Sequence, residues 1–333
     1  MTRPVGAAGW FLLLYMSHLA LPAPARAQGG RLAFVSNEGS HDVSVVDIAR
    51  NAGVATIPLA GRPRGIHVSP DQKRLYVAVS DDKPQTESSV DAIAVIDVAS
   101  RKIIASYHIG SDPEQFAVMR DGGRLYASNE DGGTATAIDL HTGKRIATVV
   151  VGIEPEGVAI SPDSRWAYVT SETSNSVSVI DTRTNRVVAN LLVDLRPRSA
   201  AFTPDGRRVF VTAEVGGTVT VIDTRRREIL KTLSLERGEG KPVGVVVSPD
   251  GARVYVANGR TGTLSVIDAA SYKLVATIPV GKRPWGVAMT PDGRFVYTAN
   301  GLSNDVAVVD AASNRVVARI NVGQRPWGVA IAY

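Results

Sequence analysis

From residue 31 onward the chain alternates apolar and polar positions in short runs. Val177 and Val179 alternate with Ser176 and Ser178, and Val306 and Val308 with Asp305 and Ala307. A period of two over about five residues marks a strand with two unlike faces. Each unit of the chain holds four such runs, lettered A to D. In the last complete unit they fall at residues 286–289, 294–298, 305–310 and 315–322. The punctuation between runs is equally regular. Thr203-Pro204-Asp205-Gly206, Ser248-Pro249-Asp250-Gly251 and Thr290-Pro291-Asp292-Gly293 tie A to B, with Pro pre-setting φ and Gly leaving it free. C is tied to D by turns that open on an Asp, whose carboxylate can accept the turn's backbone N–H groups.

Two marks give the register of a repeat. A Pro, followed two residues later in most units by a Gly or small residue, is expected to mark strand A, at Pro63, Pro113, Pro155, Pro197, Pro242, Pro284 and Pro326. The Asp that ends run C recurs as Asp47, Asp97, Asp139, Asp181, Asp223, Asp268 and Asp310, with spacings of 50, 42, 42, 42, 45 and 42. Four strands every forty-odd residues, seven times over, predict an all-β fold: a seven-bladed β-propeller of four-stranded antiparallel blades. The chain opens on a B-type run at 32–36 and closes on an A-type run at 328–332. The two termini should therefore share one blade and close the ring, which protects sheet edges.

Residues 1–27 do not belong to the repeat. A basic start at Arg3, an apolar stretch over 10–21 and Ala25-Arg26-Ala27 read as a secretory signal peptide. Residues 28–333 then form one domain, expected to be exported to the periplasm, monomeric and not embedded in a membrane. The sequence has no Cys, which excludes disulfides, a lipoprotein anchor and c-type haem attachment. Its net charge of +5 falls to +3 without Arg3 and Arg26, too little to argue for nucleic acid on composition. The two long spacings place extra residues in a B–C loop around 80–89 and in a D–A loop around 236–240. Both emerge on one face, the face expected to bind. The opposite face carries tight turns rich in Arg, with no evident aromatic platform.

The residues flanking each repeat Pro should ring the mouth of the central channel. In blade order they are Arg62/Arg64, Asp112/Glu114, Glu154/Glu156, Arg196/Arg198, Lys241/Val243, Arg283/Trp285 and Arg325/Trp327. Glu38, Glu130, Glu172 and Glu214 join them from B–C loops. Such a mouth can hold a small polyanion on Arg with its ring on Trp285 or Trp327, or dock a protein by charge. The same residues can instead pair off to tie blades together, with each Trp packed on a neighbouring Pro. His41, His67, His108 and His141 occupy unrelated repeat positions, so no metal-spaced His cluster is expected. His67 alternates toward the channel or the core. No G-x-S-x-G, P-loop or H-E-x-x-H motif is present, and no catalytic residue is assigned.

Val254-Tyr255-Val256-Ala257-Asn258 and Ala167-Tyr168-Val169-Thr170 resemble the YVTN family of β-propellers over residues 32–331. The irregular segments Asp112-Pro113-Glu114, Glu154-Pro155-Glu156-Gly157 and Arg196-Pro197-Arg198 further resemble the subgroup of PQQ-dependent catabolism-associated β-propeller proteins. That resemblance implies a non-enzymatic periplasmic binding or docking protein beside quinoprotein alcohol dehydrogenases, with PQQ as the candidate cofactor. The alternatives are a propeller lactonase, which would need an acid/base pair and a cation in the channel, and a haem d1-like or nucleic-acid-binding propeller.

Overall fold

The computed structural model describes residues 1–2, 31–83 and 88–333. The signal peptide expected over 1–27 lies, beyond its first two residues, outside the described residues. So do residues 84–87 of the long B–C loop. Among the described residues, 28 strands form seven four-stranded antiparallel sheets, each ordered A-B-C-D from the axis outward. Blade 1 joins both ends of the chain: strand A is Pro326–Ala332 and strand B is Leu32–Asn37, paired from Leu32–Ala332 to Ser36–Gly328. The expected closure is thus observed, and seven blades leave no open end to the ring.

Every strand B places an aromatic ring at its third position: Phe34, Tyr76, Tyr126, Tyr168, Phe210, Tyr255 and Tyr297. All seven are fully buried between blades, each in its own apolar cluster. Burying such a ring is worth roughly 2–3 kcal/mol, so each blade-to-blade joint carries a comparable apolar core. The seven C–D Asp residues behave as the turn chemistry predicts. Asp97 Oδ1, for example, accepts from Ser100 N at 2.7 Å and Asp181 Oδ1 from Arg183 N at 2.9 Å. The two insertions fall where spacing placed them. Residues 81–91 link strands B and C of blade 2, and Glu236–Gly238 form a 3-10 turn in the loop before blade 6.

One feature of strand A escaped the pattern. In blades 2–7 the A–B register slips between the repeat Pro and the third residue after it, as between Pro155/Ser171 and Val158/Val169. The first and second residues after Pro therefore oppose a single partner. This is a β-bulge, which re-aims a side chain out of the regular alternation. The second bulge residue must also let neighbouring A strands converge on the axis. At Gly157 a Cβ would sit 2.3 Å from the Arg198 carbonyl oxygen, and at Gly286 2.4 Å from that of Trp327. Only hydrogen fits there.

Candidate functional site

The bulge turns the residue after each Pro toward the channel mouth, where Arg64, Glu114, Glu156, Arg198, Val243, Trp285 and Trp327 form one ring. Hydroxyls on strand B hold several of them by the backbone. Ser128 Oγ donates to the Glu156 carbonyl at 2.6 Å, Thr170 Oγ1 to that of Arg198 at 3.1 Å and Thr212 Oγ1 to that of Val243 at 2.6 Å. The B–C glutamates are docked beside this ring by a repeated bond. Glu38 N donates to Arg325 O at 3.0 Å, Glu130 N to Asp112 O at 3.1 Å, Glu172 N to Glu154 O at 2.8 Å and Glu214 N to Arg196 O at 2.8 Å. The topology thus gathers onto one face the residues that the Pro and B–C registers assigned to it.

They do not gather as a basic ring facing solvent. Two ion-pair clusters form, each centred on one arginine. Arg64 contacts buried Glu114, lies 3.3 Å from Glu38 and 3.7 Å from Glu130. Arg62 bridges Asp112 at 2.9 Å, Glu38 at 3.3 Å and, on the inserted loop, Asp82 at 3.8 Å. Arg198, with a side chain only 6% exposed, contacts Glu172, holds Glu156 at 3.0 Å and faces Glu214 at 3.7 Å. Arg196 adds a 2.5 Å contact to the other oxygen of Glu172. These ion pairs join neighbouring blades, as one of the two readings of the charges expects.

The clusters are overfilled with carboxylates. Burial pushes the carboxyls of Glu130 and Glu172 up to about 7, and the nearby Glu156 charge adds to this against the pull of Arg64 and Arg198. The guanidinium Nε of both Arg64 and Arg198 is buried with no acceptor. Asp112, Glu114 and Glu130 bring one oxygen each within 4.8 Å of one another, a spacing that would admit a hard cation. Arg62 and Arg64 already face that cluster. Glu154 turns away to accept from Thr173, and Arg325 is exposed on the rim.

Trp285 and Trp327 stack on each other, ring centroids 6.3 Å apart at 19°. Arg198 lies 5.0 Å and Arg283 4.6 Å over Trp285. Below this layer the channel narrows to a cavity of about 120 Å³ lined by His67, Gln115, Ser199 and apolar groups. His67 meets Phe116 edge-on at 5.0 Å, and burial pulls its pKa down to about 4. It is a neutral channel-wall histidine. On the opposite face, Trp166 lies under Arg165 at 4.8 Å and Arg227 at 4.5 Å, an aromatic group the reading of those turns missed. Its place beside the 161–165 turn was the available signal.

A family model described as a seven-bladed β-propeller lactonase matches residues 194–317, and one described as a cytochrome d1 haem domain matches residues 86–194. Both are propeller models, so the chain is a β-propeller by sequence as by structure. No curated protein matches it. Among solved structures, hydrazine synthase of Kuenenia stuttgartiensis is similar with TM-score 0.72 and 23% identity, over 80% of this chain and 89% of that one. A protein of unknown function from Desulfotomaculum acetoxidans gives 0.75 and 19%, over 91% and 99%. A Bacteroides fragilis protein assigned as a 6-phosphogluconolactonase gives 0.75 and 16%, over 92% and 99%. At these identities the likeness carries the fold.

Proposed function

We propose that this chain hydrolyses lactones at the channel mouth, with Glu172 as general base and Arg198 as electrophile. The observation that carries the reading is the Arg198–Glu172 unit: a buried guanidinium with a free Nε–H beside a carboxyl poised near neutrality. A base titrating near the working pH is the most effective one for proton transfer. In the reaction, Glu172 takes a proton from water as the water oxygen bonds to the lactone carbonyl carbon. The carbonyl electron pair moves to oxygen, where the Arg198 Nε–H can stabilise the charge. When the tetrahedral centre collapses, the ring C–O bond breaks and the proton on Glu172 passes to the departing alkoxide. The products are a hydroxy acid and an unchanged enzyme. The face of Trp285 offers the lactone ring an apolar platform. Support also comes from the lactonase family model, whose matched span includes Arg196, Arg198, Glu214 and Trp285.

The test is hydrolysis of a panel of five- and six-membered lactones across pH 5–9. Activity should rise through about pH 7 as Glu172 ionises, and Glu172→Gln should lose on the order of 10²–10⁴-fold in kcat with its fold intact by circular dichroism. Full activity in that variant would end the assignment.

The docking reading, in which an exported propeller serves PQQ-dependent alcohol oxidation, keeps one observation in its favour. On the inserted loop Asp82 stands at the mouth rim, reaching both Arg62 and His41, the latter at 3.6 Å. Co-purification with a quinoprotein dehydrogenase that is lost on shortening the loop would support it, and unchanged recovery would not.

A further inference from the structure

The free positive charge of the mouth face does not lie on the arginines of blades 2 and 5. It lies on the rim between blades 6 and 7, in a pocket of about 510 Å³ lined by Lys241, Arg260, Lys282 and Arg283, with Glu214 at its inner end. Four cations there face one lining carboxylate, with Glu239 outside the lining as the second. Arg260 meets Glu239 at 3.2 Å, but both side chains are about two-thirds exposed, so solvent screens that pair. Lys241 Nζ donates only to the Val215 carbonyl, at 3.3 Å. Lys282 has no ion pair among the described residues. Arg283 joins the pocket to the mouth. Its guanidinium is 4.6 Å over the Trp285 ring and 3.6 Å from Glu214, which also faces Arg198.

We propose that this pocket is a subsite for an anionic substituent, a carboxylate or a phosphate, on the molecule whose ring lies against Trp285. That the molecule is a lactone rests on the hydrolase reading; the subsite itself does not. Like charges held in a concave site repel one another and focus a positive field, which an anion relieves. The fork of Arg283 and the two free lysines supply donors matched to carboxylate or phosphate oxygens. One end of the ligand would then sit on blades 6 and 7 while its carbonyl reaches Arg198 and Glu172 on blades 4 and 5. The acidic clusters on blades 2–4 would repel the reverse orientation.

The experiment has two arms, both with the full mature chain and with the double variant Lys241→Gln/Lys282→Gln. Neither lysine belongs to the proposed catalytic unit. In the first arm, inorganic phosphate and succinate are titrated at constant ionic strength against chloride, reading tryptophan fluorescence and melting temperature. A saturable shift in the parent that disappears in the variant is expected, and the stronger probe identifies the preferred anion. Shifts no larger than those of chloride, or shifts retained by the variant, would overturn the subsite. In the second arm, glucono-δ-lactone is compared with its 6-phosphate and with a glucaro-lactone. The variant should raise KM about tenfold for a charged lactone, the equivalent of about 1.4 kcal/mol, while leaving kcat and the neutral lactone unchanged. Equal KM changes for neutral and charged lactones would also count against it. If no lactone is turned over yet the anion shift is present and variant-sensitive, the hydrolase reading fails and the subsite stands.

Discussion

Replacing Glu130 by Gln should make the protein more stable at pH 8 and leave it unchanged at pH 5. The Glu130 side chain is 25% exposed, and its carboxyl is raised from 4.5 to about 7. Burial is the first cause, the Glu156 charge the second, and Arg64 opposes both. A carboxyl whose pKa is higher folded than unfolded holds extra protons in the folded state between those two values. Stability therefore falls as pH rises from about 4.5 through about 7 and is level above that. The interval corresponds to about 3 kcal/mol for this group alone. That is a ceiling, because Glu172 is raised by the same excess of negative charge and the two titrate together. In a domain of this size each kcal/mol moves the melting temperature by roughly 2 °C, so ionising Glu130 by itself should lower melting by on the order of 5 °C between pH 5 and pH 8, while buried His67, with its pKa pulled down to about 4, acts in the opposite sense below about pH 6.5. The Gln side chain keeps the shape and removes the charge. By chemical denaturation it should gain about 1–3 kcal/mol over wild type at pH 8. A variant that tracks wild type at both pH values would refute the claim that this mouth carries uncompensated charge.

Other perturbations probe the scaffold beneath the site. Arg198→Ala removes the partner of Glu156 and leaves Glu172 with Arg196 alone, both carboxylates 3% exposed; a loss of about 3–5 kcal/mol is expected in a urea melt at pH 8, shrinking toward pH 5 as Glu172 protonates. Gly157→Ala drives a Cβ to 2.3 Å from the Arg198 carbonyl and 2.9 Å from Thr170 Oγ1, and should cost about 1–3 kcal/mol while displacing Arg198, seen as reduced lactone turnover. The Tyr168 hydroxyl is buried without a partner, whereas that of Tyr126 donates to Asn185 Oδ1 at 2.5 Å. Tyr168→Phe should accordingly be neutral or stabilising and Tyr126→Phe should lose about 1 kcal/mol; denaturation of the pair in parallel would expose the opposite order.

The scaffold was legible because it repeats. Seven Asp residues at nearly fixed spacing can share only one local role, and each does cap its C–D turn, as Asp310 does for Ser313 N at 2.7 Å. The shared terminal blade followed from one B-type run at the start and one A-type run at the end. The mouth was legible as a list of residues but not as a set of partners. Period-two reasoning assumes an unbroken register, and strand A breaks it at the bulge after each Pro. Nor does residue type say whether Arg198 faces solvent or three carboxylates. That depends on Glu172 and Glu214 arriving from loops of two different blades. Lys282 and Arg260 are hidden from the sequence for a related reason: they lie two residues before a Pro and two after an Asn, outside the repeat register. The stacking of Trp285 on Trp327 was within reach, since adjacent blades carry the two rings at equivalent positions.

The charges at this mouth are not there to fold the ring. Position for position, blade 6 places Val243, 5% exposed, where its neighbours place Arg198 and Trp285. Its backbone has the same bulge and accepts the same strand-B hydroxyl, from Thr212 at 2.6 Å. An apolar residue therefore satisfies this architecture. A buried cluster of arginine and glutamate costs more to desolvate than an apolar contact of similar volume and gains stability only where every group is matched. Here they are not matched: two guanidinium Nε groups lack acceptors, and two carboxyls are pushed to about 7. A fold that can close with valine nonetheless holds mismatched charge on blades 2–5, and lysines without ion pairs among the described residues on blades 6 and 7. Mismatched buried charge gathered at the mouth of a regular scaffold is the kind of cost that functional sites carry. Neutralising the surplus carboxylates, as in Glu130→Gln and Glu172→Gln, should stabilise the protein at pH 8, and at Glu172 should also remove the proposed activity, whereas neutralising carboxylates in the turns of the opposite face should do neither.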